Sequence, residues 1–507
     1  MKRLKSYSPP KIIGILLLLI PIIFSLAKNI NLNNDTYFII KSGNFILKHG
    51  FLVTKINVGK ESDIWFLLSY GKKIITSGFP KYDFLSMHEN FSFVMQQWLS
   101  AIIFAVIYNI GGNLGISIFI TSLFTVIIYL FYKLCFYVSD NKYYLSLFLT
   151  LLFSLIMLPL FITSRPQVIS FVIYLLYFIL LERYVKTNKT KYLIPLPILS
   201  LLEINLHGSL FFILPCFILP YIVEGILKEF SCFTKDKYKV GPLLITFILV
   251  LLTGFINPYG TDMLTYTYKA LNNPYLKYFV TEVKPPSIKE TSGLIVYLTI
   301  FAILICYYFS KRKIKIRYFL LYLGTTILTI CSIRNYCYLL IAGLFPLADY
   351  YKDRARSYKK VNLTKIDKLM VIIVTCFYLI IICNIVVIKP DKHPLEKVVN
   401  YLDSHTTKDV LLYNDFNEGS YLEFNDYKTY IDPRPEIFLK SINRQEDILK
   451  EYYNLQTGNL KIKDFLAKYK FTYLVLSDSD VMFYKEEELI DYKLVYSEKN
   501  YKIYIRK

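Results

Sequence analysis

The stretch SRPQVISFVIYLLYFILLERYVKTNKTK, residues 164–191, carries the plan of the whole chain. It opens on a polar cluster with Arg165 and Pro166, runs through unbroken apolar residues, and closes on a series of cations. An apolar run approaching roughly 20 residues is what a helix needs to cross a bilayer core, and the cations mark the end that stays in the cytoplasm. The pattern extends in both directions. Strongly basic loops recur at 182–191, 228–239, 311–317 and 352–360. Apolar runs lie near 165–181, 192–204, 208–226, 240–257, 293–309, 318–333, 336–350 and 367–388. Alternation then puts the polar clusters at 164–167, 204–208, 255–260 and 332–335 on the outer side, with everything after about residue 389.

Upstream, residues 12–27 read IIGILLLLIPIIFSLA behind Lys2, Arg3 and Lys5. No small-residue cleavage site follows, so this reads as an uncleaved first helix with a cytoplasmic N-terminus. Residues 30–97 are then outside. Between that loop and Arg165 the alternation needs an even number of crossings, yet three apolar runs occur, at 99–111, 113–137 and 143–163. The short first run, ended by Gly111-Gly112, is the one expected not to span. The chain thus reads as a polytopic α-helical membrane protein with about eleven transmembrane helices.

Composition agrees. Of 507 residues 54% are hydrophobic and 19% charged, against roughly 25% charged in a soluble domain. A soluble globular enzyme is excluded. The net charge of +21 would suggest nucleic acid in a soluble protein, but these cations sit in short loops between apolar runs. The eight cysteines form no CxxC pair, so neither a disulfide framework nor a zinc site is indicated.

The outer loop 30–97 contains a repeat, DTYFIIKSGNFILKHGF from Asp35 and DIWFLLSYGKKIITSGF from Asp63. Each copy has helical apolar spacing, an acid at its start, where the helix dipole favours one, and a glycine (Gly50, Gly78) at the place of a C-cap. From about 389 the pattern changes to a small α/β domain. Strand-like runs stand at 410–414, 427–431, 473–477, 493–497 and 501–505, with helix-like segments at 444–455 and 461–469. It lacks a Gly-rich phosphate loop, and Asp432 with Arg434 reads as a structural ion pair.

Several short motifs stand in order on the outer side. They are Asp63 to Gly71 (D-x-W-F-L-L-x-x-G), GFPKYDFLSMHE (78–89), QQWL (96–99), RPQ (165–167), NLHGS (205–209), NPYG (257–260), GSYL (419–422) and IDPRPE (431–436). With a first helix, a large outer loop and many later helices, the set resembles the GT-C superfamily. These are membrane glycosyltransferases using lipid-phosphate sugars, such as protein O-mannosyltransferases and the aminoarabinose transferase of lipid A. The likeness is closer to a bacterial branch that ends in a small outer α/β domain. It divides the chain into a membrane domain, 1–388, and an extracytoplasmic domain, 389–507.

The resemblance implies an inverting transfer at the plasma membrane's outer face. The donor would be a polyprenyl-phosphate sugar and the acceptor a cell-surface glycan, lipid or protein. A first-loop carboxylate, Asp35 or Asp63, would be the catalytic base, with Asp35 favoured for its closeness to the first helix. A hydroxyl nucleophile needs such a base within hydrogen-bond reach, and the leaving phosphate needs a facing cation. Arg165, His207 and Arg334 are the candidates for the donor phosphate, and Asp83, His88, Glu89, Trp98 and Glu282 for acceptor or sugar. Each has a plainer alternative: a snorkelling arginine, a packed histidine, a helix-start acid. Glu203, inside an apolar run, is costly there and so is a functional candidate as well. No clear DxD motif is found, so a divalent metal stays open and its ligands unknown. The rival functions are a polysaccharide polymerase or ligase, which would rest on arginines and a histidine, and a non-enzymatic transporter or assembly scaffold.

Overall fold

The computed structural model describes residues 62–229, 233–271, 273–310, 312–355 and 393–507. The first helix, the repeat copy bearing Asp35 and the apolar run 367–388 lie outside the described residues. Among the described residues, four helices are long and apolar enough to cross a membrane: Trp98–Val138, Gln167–Thr187, Gly208–Ile226 and Thr291–Tyr308. Shorter apolar helices include Gly241–Thr253 and Ile316–Cys331. Large side chains such as Ile245, Ile248, Leu298 and Phe301 point outward, each more than half exposed. Water would not tolerate such a face, whereas lipid does.

The second repeat copy forms α1 (Ser62–Ser77), with Asp63 in its first turn. Gly78, at φ +77°, ends it, and its N–H donates to the Ile74 carbonyl at 3.0 Å. Helix α1 lies against α2 (Trp98–Val138) so closely that a Cβ on Gly71 would meet the Ala101 carbonyl oxygen at 2.1 Å. That contact fixes glycine at position 71.

Helix α2 carries both apolar runs, 99–111 and 113–137, and is broken at Gly112, where φ is 56° and ψ −149°. A straight helix would hold Phe104 and Phe119 about 22 Å apart, yet their ring centroids are 5.6 Å apart. The first arm therefore folds back on the second. Both ends of that arm stay at one end of the molecule. Trp98 donates to Asn205 at 2.9 Å, and Tyr108 meets Phe424 at 5.5 Å.

The longer helices that follow are α3 (Tyr143–Phe161), α4 (Gln167–Thr187), α5 (Pro195–Leu206), α6 (Ile213–Ile226), α7 (Gly241–Thr253), α8 (Thr261–Leu271), α9 (Thr291–Tyr308), α10 (Ile316–Cys331) and α11 (Tyr336–Leu344). A two-residue parallel pair, β1 (Phe233–Thr234) with β2 (Ile314–Lys315), ties two basic loops together. At this end Arg317, 1% exposed, bonds Glu182 and Glu224, both fully buried, and also Asp236. The chain of charges continues through Lys315 to Asp349, then Lys352 to Asp140, then Lys186. All four basic loops thus contribute to one end.

The opposite end is closed by residues 393–507. After α12 (Glu396–His405) come β3 (Leu412–Asn414), α13 (Gly419–Phe424), α14 (Ile448–Gln456), α15 (Ile462–Tyr469), β4 (Tyr473–Ser477), β5 (Tyr492–Ser497) and β6 (Tyr501–Arg506). They make a four-stranded sheet ordered β3-β4-β6-β5, with β3–β4 parallel and the other pairs antiparallel. The run 427–431, expected as a strand, makes only single bridges, from Thr429 to Leu412 and to Ser86. It is used to hold the outer loop, and Met87 N–H donates to the Thr429 carbonyl at 2.8 Å.

Candidate functional site

Three turns meet under the C-terminal residues. The loop before α4 brings Arg165. The turn between α5 and α6 brings His207. The turn after α10 brings Arg334. Hydrogen bonds hold the segment 281–284 beside the last of these: Ser332 Oγ donates to the Glu282 carbonyl at 2.9 Å, and Ile333 N–H to the Lys284 carbonyl at 3.0 Å. These turns, α1 and residues 433–436 enclose a cavity of about 270 Å³. A second cavity, of about 320 Å³, shares Arg165, Gln167, Thr281, Glu282 and Arg334 with it. Its other walls are helix-end residues, among them Leu160, Phe161, Ser292 and Tyr336.

The charges in the first cavity differ in how far they are engaged. Arg165 is held between two acids, with Nε 3.0 Å from Asp63 Oδ2 and Nη1 2.8 Å from Glu282 Oε1. Arg334 makes no ion pair among the described residues, and its Nε, screened from solvent, has no hydrogen-bond partner there. His207 is 1% exposed; its Nδ1 lies 3.4 Å from Ser170 Oγ, and its Nε2 has no partner among the described residues. Burial, with Arg334 and Arg165 nearby, pushes its pKa down to about 3. His207 is therefore neutral and offers the cavity a hydrogen bond rather than a charge. Below it, buried Glu203 accepts from the Tyr174 hydroxyl at 2.8 Å.

The expected sugar-binding residues fare differently, and four of them lie away from the cavity. Asp83 is 7% exposed, and both its oxygens are taken. Tyr70 Oη donates to Oδ1 at 2.6 Å, Arg434 Nη1 also at 2.6 Å, and Ser86 N–H to Oδ2 at 2.9 Å. Burial works to raise its carboxyl, but Arg434 and these hydrogen bonds prevail and hold it below its ordinary value. Three of the four lone-pair sites of this carboxylate are thus used within the protein. His88 stacks on Phe91 at 4.9 Å and contacts the Tyr430 carbonyl at 2.8 Å, joining the outer loop to the C-terminal residues. Glu89 is exposed, and its backbone carbonyl accepts from Gln445. Trp98 is spent on Asn205 and packs edge-on against Phe79 at 5.2 Å. None of these four lines the cavity. Of the expected acceptor group only Glu282 does, and of the two expected bases Asp63 does while Asp35 lies outside the described residues.

Residues 431–436 supply what the sequence alone underweights. The expected Asp432–Arg434 pair is present and bidentate, with Nε to Oδ1 at 2.8 Å and Nη2 to Oδ2 at 2.6 Å. The same guanidinium also reaches Asp83 and Glu423, so it clamps the outer loop to the C-terminal residues. Two places on, Glu436 lines the cavity. The signal available in the sequence is an acid following Pro433 and Pro435 in a motif already singled out. A D-x-D also stands in the chain, at Asp478-Ser479-Asp480. Its Asp480 is engaged with the Tyr413 hydroxyl, Gln456 and the Met482 N–H. Among the described residues no group of three His, Cys, Asp or Glu side chains is gathered to hold a metal.

No family model matches the sequence, and no curated protein matches it either. Solved structures do. An oligosaccharyltransferase from Archaeoglobus fulgidus, tethered to an acceptor peptide, is 10% identical with a TM-score of 0.52, over 98% of this chain and 74% of that one. Its apo form gives 11% and 0.53, over 92% and 69%. The archaeal oligosaccharyltransferase AglB from the same organism, in complex with an inhibitory peptide and a dolichol-phosphate, gives 10% and 0.54, over 98% and 74%. Over 92–98% of its length, then, the chain has a fold similar to that of these archaeal oligosaccharyltransferases.

Proposed function

We propose that this protein is a membrane glycosyltransferase that moves a sugar from a polyprenyl-phosphate donor to a cell-surface glycan, lipid or protein acceptor. One observation carries the reading: Arg165 and Arg334 form a wall common to two cavities, one roofed by the C-terminal residues and one lined by helix ends that carry Leu160, Phe161 and Tyr336 beside Glu290 and Ser292. A lipid-linked donor needs that arrangement, with its phosphate at the cations, its chain leaving along the helix ends past Leu160 and Phe161 and its sugar in the roofed cavity. Arg334, with no acid of its own among the described residues, supplies the charge that a leaving phosphate calls for. Neutral His207 adds a hydrogen bond, and Arg165 is positioned by Asp63 and Glu282. The fold neighbours support the same direction, since one of them holds a dolichol-phosphate and another an acceptor peptide.

Within this proposal the chain lies in the plasma membrane, with the four basic loops in the cytoplasm and residues 389–507 outside. Transfer is inverting, with the acceptor hydroxyl activated by one of the cavity carboxylates. The test uses the purified chain in lipid nanodiscs with a panel of undecaprenyl-phosphate monosaccharides, and measures release of undecaprenyl phosphate. Release that disappears in Arg334→Ala supports the proposal. A chain that binds undecaprenyl phosphate no better than empty nanodiscs, and releases none, overturns it.

A further inference from the structure

Three carboxylates line the roofed cavity: Asp63, Glu282 and Glu436. They are not equivalent. Arg165 lies 3.0 Å from Asp63 and 2.8 Å from Glu282, so each of these is already engaged by a guanidinium. Glu436 makes no ion pair among the described residues. Its backbone is held in place by its neighbours. Pro433 and Pro435 restrict the dihedrals ahead of it, and Arg434 between them is fixed to Asp432, Asp83 and Glu423. A carboxylate on such a rigid segment, lining a cavity and without an ion-pair partner of its own, is placed to act on a substrate.

Resting on the glycosyl-transfer reading above, we infer that Glu436, supplied by the C-terminal residues, is the base that takes the proton from the acceptor hydroxyl, while Asp63 acts as a positioning residue through Arg165. In the step, the acceptor O–H bond breaks and its proton passes to the Glu436 carboxylate. The freed oxygen pair forms a bond to the anomeric carbon. The bond from that carbon to the phosphate oxygen breaks, and its electron pair leaves on the lipid phosphate, which faces Arg334 and Arg165. Glu436 returns its proton to solvent when product departs. Burial holds the Glu436 carboxyl above its ordinary range, with Asp63 and Asp432 adding to that and Arg334 opposing it. A base nearer to neutrality serves proton transfer better than an ordinary carboxylate.

The experiment compares wild type, Glu436→Gln, Glu436→Asp and Asp63→Asn as full-length chains in nanodiscs. Binding of undecaprenyl phosphate and release from undecaprenyl-phosphate sugars are measured across pH. The expected result for Glu436→Gln is undiminished binding with release lowered by about 100-fold or more. The wild-type rate should fall on the acid side through the titration of a raised carboxyl, and that limb should be missing from Glu436→Gln. Glu436→Asp should recover part of the rate and keep an acid limb. Asp63→Asn should lower the rate yet keep the limb, as a positioning residue would. Full activity in Glu436→Gln, or the same limb retained in it, overturns the assignment and leaves the glycosyl-transfer reading standing. Loss of undecaprenyl phosphate binding in Glu436→Gln also overturns it, in favour of a structural role. If the wild type itself neither binds nor releases undecaprenyl phosphate, the glycosyl-transfer reading fails first and this inference with it.

Discussion

Arg317 and Arg334 stand at opposite ends of α10 and its following turn, about 25 Å apart along the axis, and the protein treats them in opposite ways. Arg317 is 1% exposed and closed in by Glu182, Glu224 and Asp236, with Tyr318 Oη donating to the same Glu182 at 2.9 Å. Each arm of its guanidinium is answered by an acid. Arg334 lines both cavities and has a screened Nε with no partner among the described residues. A buried cation is tolerated only when paired and hydrogen-bonded. The completed circuit at Arg317 therefore serves the fold, and the open one at Arg334 is where a ligand's charge fits.

The most severe way to break this contrast is Arg317→Met, which strands the Glu182 and Glu224 carboxylates. A loss of about 3–5 kcal/mol is expected, seen as a lowered thermal midpoint in detergent and poor yield. An unaltered midpoint would mean the cluster is not a structural lock. Arg334→Ala should do the reverse. Turnover should drop by about 100-fold or more with the midpoint nearly unchanged, and unfolding like that of the Arg317 variant would erase the distinction.

Glu418 sharpens the comparison as a buried carboxylate whose Oε2 has no partner among the described residues. Burial, with Asp415 nearby, raises it to about 8. Because the folded state holds that proton more tightly than the unfolded chain, its contribution to stability is present at acid pH and is lost as pH rises towards about 8. Over that window the decline runs at about 1.4 kcal/mol for each step of one in pH, and Glu418→Gln should flatten it. Equal slopes in melts between about pH 5 and pH 9 would count against this. The smallest effect is expected from Trp98→Phe. It removes one hydrogen bond to Asn205, costing about 1 kcal/mol, and a loss several times larger would show that the indole does more than tether the arm of α2.

Much of the fold is legible because membrane helices are written in long apolar runs and their ends in charge. Helix α1 is legible in full: Asp63 at its start, Gly78 past its end, helical spacing between. The gathering of Arg165, His207 and Arg334 follows from their shared side of the alternation. What stays hidden is pairing across long sequence distances. Asp83 reads as an open loop acid, because nothing nearby announces that Arg434 will close on it. Glu436 is hidden for the complementary reason: an acid two residues from a bound arginine looks like part of the same ion pair. The run 427–431 has a strand's composition, yet its neighbours allow only isolated bridges, and composition carries no record of that.

The clamp from Arg434 to Asp83 also has a consequence in time. Its partners are 351 residues apart in the chain. At the usual pace of synthesis, the arginine leaves the ribosome roughly 20–70 s after the aspartate. For that interval the outer loop is made but unroofed, and Asp83 can only be solvated. The helices of the membrane part can meet their neighbours as they emerge, but the roofed cavity cannot exist until residues 433–436 arrive. A protein cut short before residue 434 would carry Arg165, His207 and Arg334 in an uncovered basin.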